Sequence, residues 1–499
     1  MNIVYLTSEA IPFAKTGGLG DVGGTLPTQL ASMGHHVSVI LPAFQSIYSA
    51  GIEIAPTDIS FAISMRPGKV VGCRLLRSKL PGSAVTVWFL DQPQYFDRDS
   101  LYGSTETDFP DNAERFTFFN RAAVQAIHRL ELNPEIIHCN DWQTGLVPGL
   151  LKYDPSLNQC FRDTASLITI HNLAYQGHFP AQCFELTGLS WDHFHPNSFE
   201  FYNHLNFLKA GIISSDMVTT VSPQYAKEIT TQQHGCGLDG VLRSVSNRLI
   251  GITNGIDESI WNPATDPAIT VNYDVSSWRE GKASNKQALQ KRLGLEQNLD
   301  VPLIGLVGRL AAQKGWDLVL PVLRWHLSER RPTQWAVLGS GDPRYERELR
   351  ELSNKYPEQF ALHVGFSDNL AHQIEASSDL FLMPSHYEPC GLNQLYSLRY
   401  GSIPIVNPTG GLADTVINAS TSNIQNNTAT GFHLERPHPR ALDEALGKAL
   451  HLKYHQPKDW SQIVETGMSQ DWSWHRSAEA YLVHYKKTIA RKKRKVQSD

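Results

Sequence analysis

Short β-rich apolar runs alternate with longer amphipathic stretches along nearly the whole chain. "IVYLTS", "HVSVIL", "EIIHC", "SLITI", "MVTTV" and "LIGIT" read as strands in the first half, and "PLIGLVG", "QWAVLG", "FALHVG", "LFLMP" and "IPIV" in the second. Between them lie helix-like segments such as "AERFTFFNRAAVQAIHRL" and "DPRYERELRELSNKY". This alternation predicts an α/β fold built on doubly wound parallel sheets. The strand candidates outnumber the roughly six that one compact sheet carries, and 499 residues are too many for one core. Two Rossmann-like domains, 1–250 and 251–470, are therefore expected, with the seam around "LIGITNGID" (249–257).

The unusual residues follow strands directly. "NIVYLTS" leads to "KTGGLGD", "EIIHC" to "NDW", "SLITI" to "HN", "LIGIT" to "NGID", "PLIGLVG" to "RLAAQK", "LFLMPS" to "HYEPCGL" and "IPIVNP" to "TGGLAD". In open α/β sheets ligands sit at the carboxyl ends of strands. These motifs are expected to face one another across a deep cleft between two sheets.

The stretch "AKTGGLGDVGG" (14–24) contains a formal G-x-G-x-x-G at Gly18, Gly20 and Gly23. A nicotinamide dinucleotide site also needs a tight strand-to-glycine turn and an acid ending the second strand. Here Pro12 and Lys15 intervene before Gly17, and "HVSVILPAF" ends without an acid. The alternative is an anion site: backbone amides of glycines that approach an anion closely, the positive end of a helix starting near Asp21, and the full charge of Lys15. Such a site suits a leaving diphosphate that accumulates charge. A plain glycine-rich turn with an exposed lysine is the bland reading of the same residues.

In the second half, "GRLAAQKG" places Arg309 and Lys314 beyond one strand, again a pattern suited to a diphosphate. "HYEPCGLNQL" offers Glu388 as a carboxylate for sugar hydroxyls, with Cys390, Gly391 and Leu392 leading into a helix-like run. "TGGLADT" (409–415) repeats that arrangement one strand later. Taken singly, His171 is a strand-end histidine, Cys390 a small packing residue and the arginine and lysine surface charges.

A net charge of −5 does not suit general nucleic-acid binding. The one basic run, "RKKRK" (491–495), reads as a solvated end. Six scattered cysteines without C-x-x-C or zinc spacing suit a reducing compartment. With no signal-like or long apolar segment, a cytoplasmic protein with neither membrane nor nucleic-acid partners is expected.

Together "KTGGLGDV", "HNLAYQG", "NFLKAGI", "TVSP", "NGID-x-x-x-WNP", "GRLAAQKG" and "EPCGLNQLYSLRYG" resemble the bacterial glycogen synthases and plant starch synthases, retaining glycosyltransferases of the GT-B fold. The resemblance spans nearly the whole chain. It implies transfer of glucose from ADP-glucose to the non-reducing 4-hydroxyl of an α-1,4-glucan, with ADP released, α configuration retained, and no metal or other cofactor. It also implies roles. Lys15, Gly17 and Gly18 would contact donor phosphate and glucose, and Asp21 would support their loop. Arg309 and Lys314 would be the principal diphosphate cations. Glu388 would bind donor glucose hydroxyls beside Cys390, Gly391 and Leu392. His171 would sit beside the anomeric carbon, with Asp141 and Asn254 lining the same site, and Phe366 would stack on adenine. A C-terminal helix, about 471–490, would cross back onto the N-terminal domain.

The chain departs from the family pattern at three places. Asn140 stands where a second histidine often precedes Asp-Trp, Asn393 where threonine commonly follows "CGL", and Asn407-Pro408 where a basic residue often precedes "TGGL". Three functional classes stand side by side at this point: a sugar-nucleotide glucan synthase, a nicotinamide-dependent oxidoreductase, and a catalytically silent glucan-binding relative. The intact Lys15, His171, Arg309, Lys314 and Glu388 weigh against the last.

Overall fold

A computed structural model describes residues 1–104 and 107–498. The chain divides into two compact units, Met1–Asn254 with Trp474–Asp499, and Gly255–Ser473. The division falls after Asn254, so that seam residue belongs to the first unit. The C-terminal helix also belongs there and runs Trp474–Ser498.

The first unit holds a nine-stranded sheet built from β1 (Asn2–Leu6), β2 (His36–Pro42), β3 (Ala55–Arg66), β4 (Lys69–Lys79), β5 (Thr86–Asp91), β6 (Ile136–Asn140), β7 (Ala165–Ile170), β11 (Met217–Thr220) and β12 (Leu249–Gly251). Its order is β12-β11-β7-β6-β1-β2-β5-β4-β3. All pairs from β12 to β5 are parallel, and β4 and β3 extend the sheet antiparallel. A separate antiparallel ribbon joins β8 (His178–Pro180), β10 (His204–Asn206) and β9 (Glu200–Phe201). The parallel strands run outward in both directions from the β1/β6 pair, so the chain reverses its direction of winding there. That is the place where doubly wound sheets open a crevice at their carboxyl ends.

The second unit is a six-stranded, wholly parallel sheet in the order β15-β14-β13-β16-β17-β18, formed by β13 (Leu303–Val307), β14 (Gln334–Gly339), β15 (Phe360–Val364), β16 (Leu380–Met383), β17 (Ile403–Val406) and β18 (Phe432–His433). Counted from β13 this is 3-2-1-4-5-6, the dinucleotide-fold order, with its switch point between β13 and β16.

Eleven strands coincide with the apolar runs seen in the sequence. Seven do not: β3, β4, β5, the three ribbon strands and β18. The first helix also begins earlier than Asp21. It spans Gly18–Ser32, with extended Gly17 as its N-cap and Asp21 in its first turn. Leu19, Val22, Leu26 and Leu30 recur at helical spacing and are buried. Val22, Leu26 and Leu30 share a core with Ile3, Tyr5 and Val39 and with Trp474, Tyr481 and Tyr485 of the C-terminal helix. The second unit packs around Trp335, Leu323, Leu380 and Ile403. No described helix is long and apolar enough to cross a membrane.

Candidate active site

In the first unit the loop after β1 carries Lys15. Its ammonium is 2.7 Å from Asp21 Oδ1, and the lysine side chain is 45% exposed, so the pair is a solvated one. The glycines divide into two kinds. A Cβ added at Gly17 or Gly18 would meet nothing within 4 Å. One added at Gly23 would lie 2.1 Å from the Glu9 carbonyl oxygen, and one at Gly24 would lie 2.6 Å from that of Ile11. The later glycines thus let the helix press against the Glu9–Ile11 backbone. Only the first pair borders open space, so within the G-x-G-x-x-G Gly20 and Gly23 serve packing and Gly18 alone stays open.

Glu9 organises this loop, and sequence reasoning missed it. Its carboxylate accepts from Thr16 N (2.6 Å), Gly17 N (3.2 Å), Thr16 Oγ1 (2.7 Å) and Tyr102 OH (2.7 Å), and the residue is buried. The Gly17 amide is therefore occupied by Glu9, which leaves Gly18 and Lys15 to meet a ligand. Glu9→Gln would turn an NH₂ toward one of those four donors. About tenfold higher donor KM with unchanged helicity is expected, measured by steady-state kinetics and circular dichroism. An unaltered KM would show that the loop holds its shape without the carboxylate.

Asp141 and His171 immediately follow the neighbouring strands β6 and β7. Asp141 adopts φ 53° and ψ −171°, a conformation costly for a residue with a Cβ. Its Oδ1 accepts from His171 N at 2.7 Å, so the aspartate fixes the backbone of the histidine. Burial pushes the Asp141 carboxyl up to about 7, with nearby Glu9 adding to the rise and its amide bonds opposing it. Burial also pushes the His171 ring down to about 3, which keeps it neutral. An unfolded aspartate titrates near ~3.9. The cost of ionising Asp141 in place is therefore absent below about pH 4, grows as pH rises, and is complete above about pH 7. Asp141→Asn is expected to melt higher than the natural chain at pH 8, with the gap closing at pH 5. A gap of equal size at both pH values in calorimetry would refute this.

Asn254 lies in the segment after β12. It is buried, and its Oδ1 has no hydrogen-bond partner among the described residues.

In the second unit the loops after β13 and β16 meet at the switch point. Lys314 Nζ lies 2.6 Å from Glu388 Oε2, which also accepts from Ser385 Oγ at 3.0 Å. Glu388 is buried, and among the described residues its Oε1 has no hydrogen-bond partner. Arg309 is exposed; its guanidinium donates to Gln313 Oε1 at 3.1 Å, and Gln313 Nε2 donates to the Tyr387 carbonyl at 3.1 Å. Gln313 thus ties the two loops together, a role with no signal in its sequence position.

Cys390 is buried, and Gly391 and Leu392 are half-buried ahead of the helix Asn393–Arg399. The "TGGLADT" segment supports this loop from behind. Gly411 N donates to the Glu388 carbonyl at 3.1 Å, and a Cβ on Gly410 would lie 2.0 Å from that oxygen. Two family departures also serve the loops: Asn393 Nδ2 donates to the Val307 carbonyl (2.6 Å) and Asn407 Nδ2 to that of Ser385 (2.9 Å). Phe366, beyond β15, is 81% exposed, a ring without cover. Each unit therefore gathers its own set of candidates at a switch point: Lys15, Gly17, Gly18, Asp21, Asp141 and His171 in one, Arg309, Lys314, Glu388, Cys390, Gly391 and Leu392 in the other.

Residues 2–244 match the family profile of the starch synthase catalytic domain, and 289–466 that of glycosyl transferases group 1. A glycogen synthase of Rhodopirellula baltica is 56% identical over 99% of both chains. The chain belongs to the glycogen and starch synthase family. A second glycogen synthase of this family, from Syntrophotalea carbinolica, is 46% identical over 98% of this chain and 99% of its own. The catalytic domain of starch synthase IV from Arabidopsis thaliana, solved with ADP and acarbose, superposes with a TM-score of 0.89 at 34% identity, covering 98% of this chain and 99% of that one. This family member is accordingly a glycosyltransferase, and its two doubly wound units are those of the GT-B class. The nicotinamide-dependent oxidoreductase is set aside.

Proposed function

We propose that the chain transfers glucose from ADP-glucose to the non-reducing 4-hydroxyl of an α-1,4-glucan, releasing ADP with retention of configuration, in the cytoplasm. The observation that carries this reading is the switch-point cluster of the second unit. Lys314 and Arg309 supply cations where a diphosphate departs, and Oε1 of Glu388, without a hydrogen-bond partner among the described residues, is the acceptor left for a sugar hydroxyl. The Arabidopsis relative holds ADP, the leaving group proposed here. In this reading Lys15 and the Gly18 amide add positive potential to the donor, Asn254 Oδ1 accepts from the substrate, and Phe366 covers the adenine. Neutral His171, with its backbone fixed by Asp141, faces the anomeric carbon.

The test is transfer of radiolabelled glucose to glycogen, with ADP-glucose and UDP-glucose in parallel. Incorporation from ADP-glucose, weaker or absent from UDP-glucose, is expected. The reverse preference would overturn the donor assignment. No transfer from either donor would favour the silent glucan-binding relative. Because Arg309 and Lys314 stand in for a metal at the diphosphate, activity is expected to survive EDTA. Loss on chelation, with recovery on adding Mg²⁺, would refute the metal-free mechanism.

A further inference from the structure

Asn140, the last residue of β6, stands where members of the family often carry histidine. It is fully buried, and its side chain makes three hydrogen bonds. Nδ2 donates to the Leu6 carbonyl at 2.9 Å, while Oδ1 accepts from Tyr5 OH at 3.0 Å and lies 2.9 Å from His171 Nε2. The Leu6 carbonyl can only accept, so the amide NH₂ must face it. That orientation turns the amide oxygen toward Tyr5 and His171. An amide oxygen cannot donate, so His171 Nε2 must carry the hydrogen. Nδ1 has no hydrogen-bond partner among the described residues.

We propose that Asn140 is a positioning residue that locks His171 in the Nε2–H tautomer, leaving Nδ1 as a permanent acceptor. Because burial already keeps the ring neutral, one proton remains, and Asn140 decides which nitrogen holds it. A histidine at 140 could not impose this. Its ring nitrogen either donates or accepts according to its own tautomer, and it can take up a proton beside His171. Of the nearby titratable groups, His138 from β6 acts on the ring, Asp141 beyond β6 accepts from the His171 amide, and Tyr5 from β1 shares the Asn140 oxygen with it. The amide therefore removes one titrating group from the site and leaves Asp141, pushed up to about 7 by burial, as the neighbour that titrates in mildly acidic solution.

The catalytic part of this inference rests on the glucosyl-transfer reading; the tautomer does not. The full chain, labelled with ¹⁵N-histidine, is examined by two-bond ¹H–¹⁵N correlation, with His171→Gln identifying the resonances. The natural chain should show the Nε2–H form from pH 5.5 to 8.5, whether or not it transfers glucose. Asn140→Ala should populate both tautomers and lower kcat about tenfold with donor KM little changed. Asn140→His should add a limb of falling kcat on the acid side. An Nδ1–H ring in the natural chain, or an unmixed tautomer in Asn140→Ala, would overturn the lock. A pH profile for Asn140→His superimposable on the natural one would overturn its link to pH. If Asn140→His does not fold, Asn140→Asp replaces it. Its carboxylate also accepts from Nε2 but favours the imidazolium, so an acid limb is expected there too, and its absence would count equally against the proposal.

Discussion

Glu388→Ala is expected to lower kcat by about 10²–10³-fold, with a far smaller rise in donor KM. Oε2 of Glu388 is committed to Lys314 and Ser385, whereas Oε1 has no hydrogen-bond partner among the described residues. A contact that tightens as charge develops on the sugar acts on turnover more than on ground-state binding. The substitution also strips Lys314 of its counter-ion, so that the lysine no longer has a fixed position. Lys314→Ala and Glu388→Ala should accordingly be non-additive: the double variant should be little worse than the poorer single one. Steady-state kinetics of the three proteins check both statements. A near-normal kcat for Glu388→Ala would remove the carboxylate from the reaction, and full additivity would show that the pair does not act as a unit.

Asp379→Ala should cost about 3–5 kcal/mol in unfolding free energy. The residue stands just before β16. Its carboxylate accepts from Lys286 Nζ (2.8 Å), Lys453 Nζ (2.7 Å) and Leu303 N (2.8 Å). Lys453 and Lys286 hold it well below the usual carboxylate range despite its burial. Removing the anion leaves two cations, one of them buried, and an amide without a partner. Because the folded carboxyl titrates below the unfolded one, this contribution is complete above about pH 4 and fades as pH falls through the folded value. Urea denaturation at pH 7 and pH 3 measures it. A cost under about 1 kcal/mol, the range of exposed pairs, would mean that the cluster is solvated.

The sequence was most legible where strands are covered on both faces. β6 and β7 are buried at every position, and their β-branched and apolar residues, Ile136, Ile137, Leu167, Ile168 and Ile170, make them readable despite the polar residues among them. β3 is not: it alternates between exposed and buried positions, with only Phe61, Ile63 and Met65 turned inward, so it has no apolar run to find. The ribbon strands are two or three residues long, too short for any periodicity. Among site residues Lys15, Arg309, Lys314 and Glu388 are legible, because each lies in a motif that directly follows a strand. Their pairings are not. Lys314 meets Glu388 only because β13 and β16 are neighbours, although two strands lie between them in the chain. Glu9 carries no signal in the sequence, since its bond to Tyr102 depends on tertiary folding. Asn140 looked like a departure from pattern until its amide was seen between Leu6, Tyr5 and His171.

The return of the C-terminal helix to the first unit sets the order in which the molecule can be finished during synthesis. Trp474, Ala478, Tyr481, Tyr485 and Ile489 share one core with Ile3, Tyr5 and Val22, and Tyr485 OH lies 2.6 Å from the buried His138 ring. Ribosomes add roughly 5–20 residues per second, so the first strand waits roughly 20–100 seconds for the helix that covers it. The second unit, contiguous in the chain, has every residue it needs before that helix emerges. The half begun earliest is thus sealed last, and until its final turns leave the ribosome its aromatic wall stays open to whatever holds nascent chains apart.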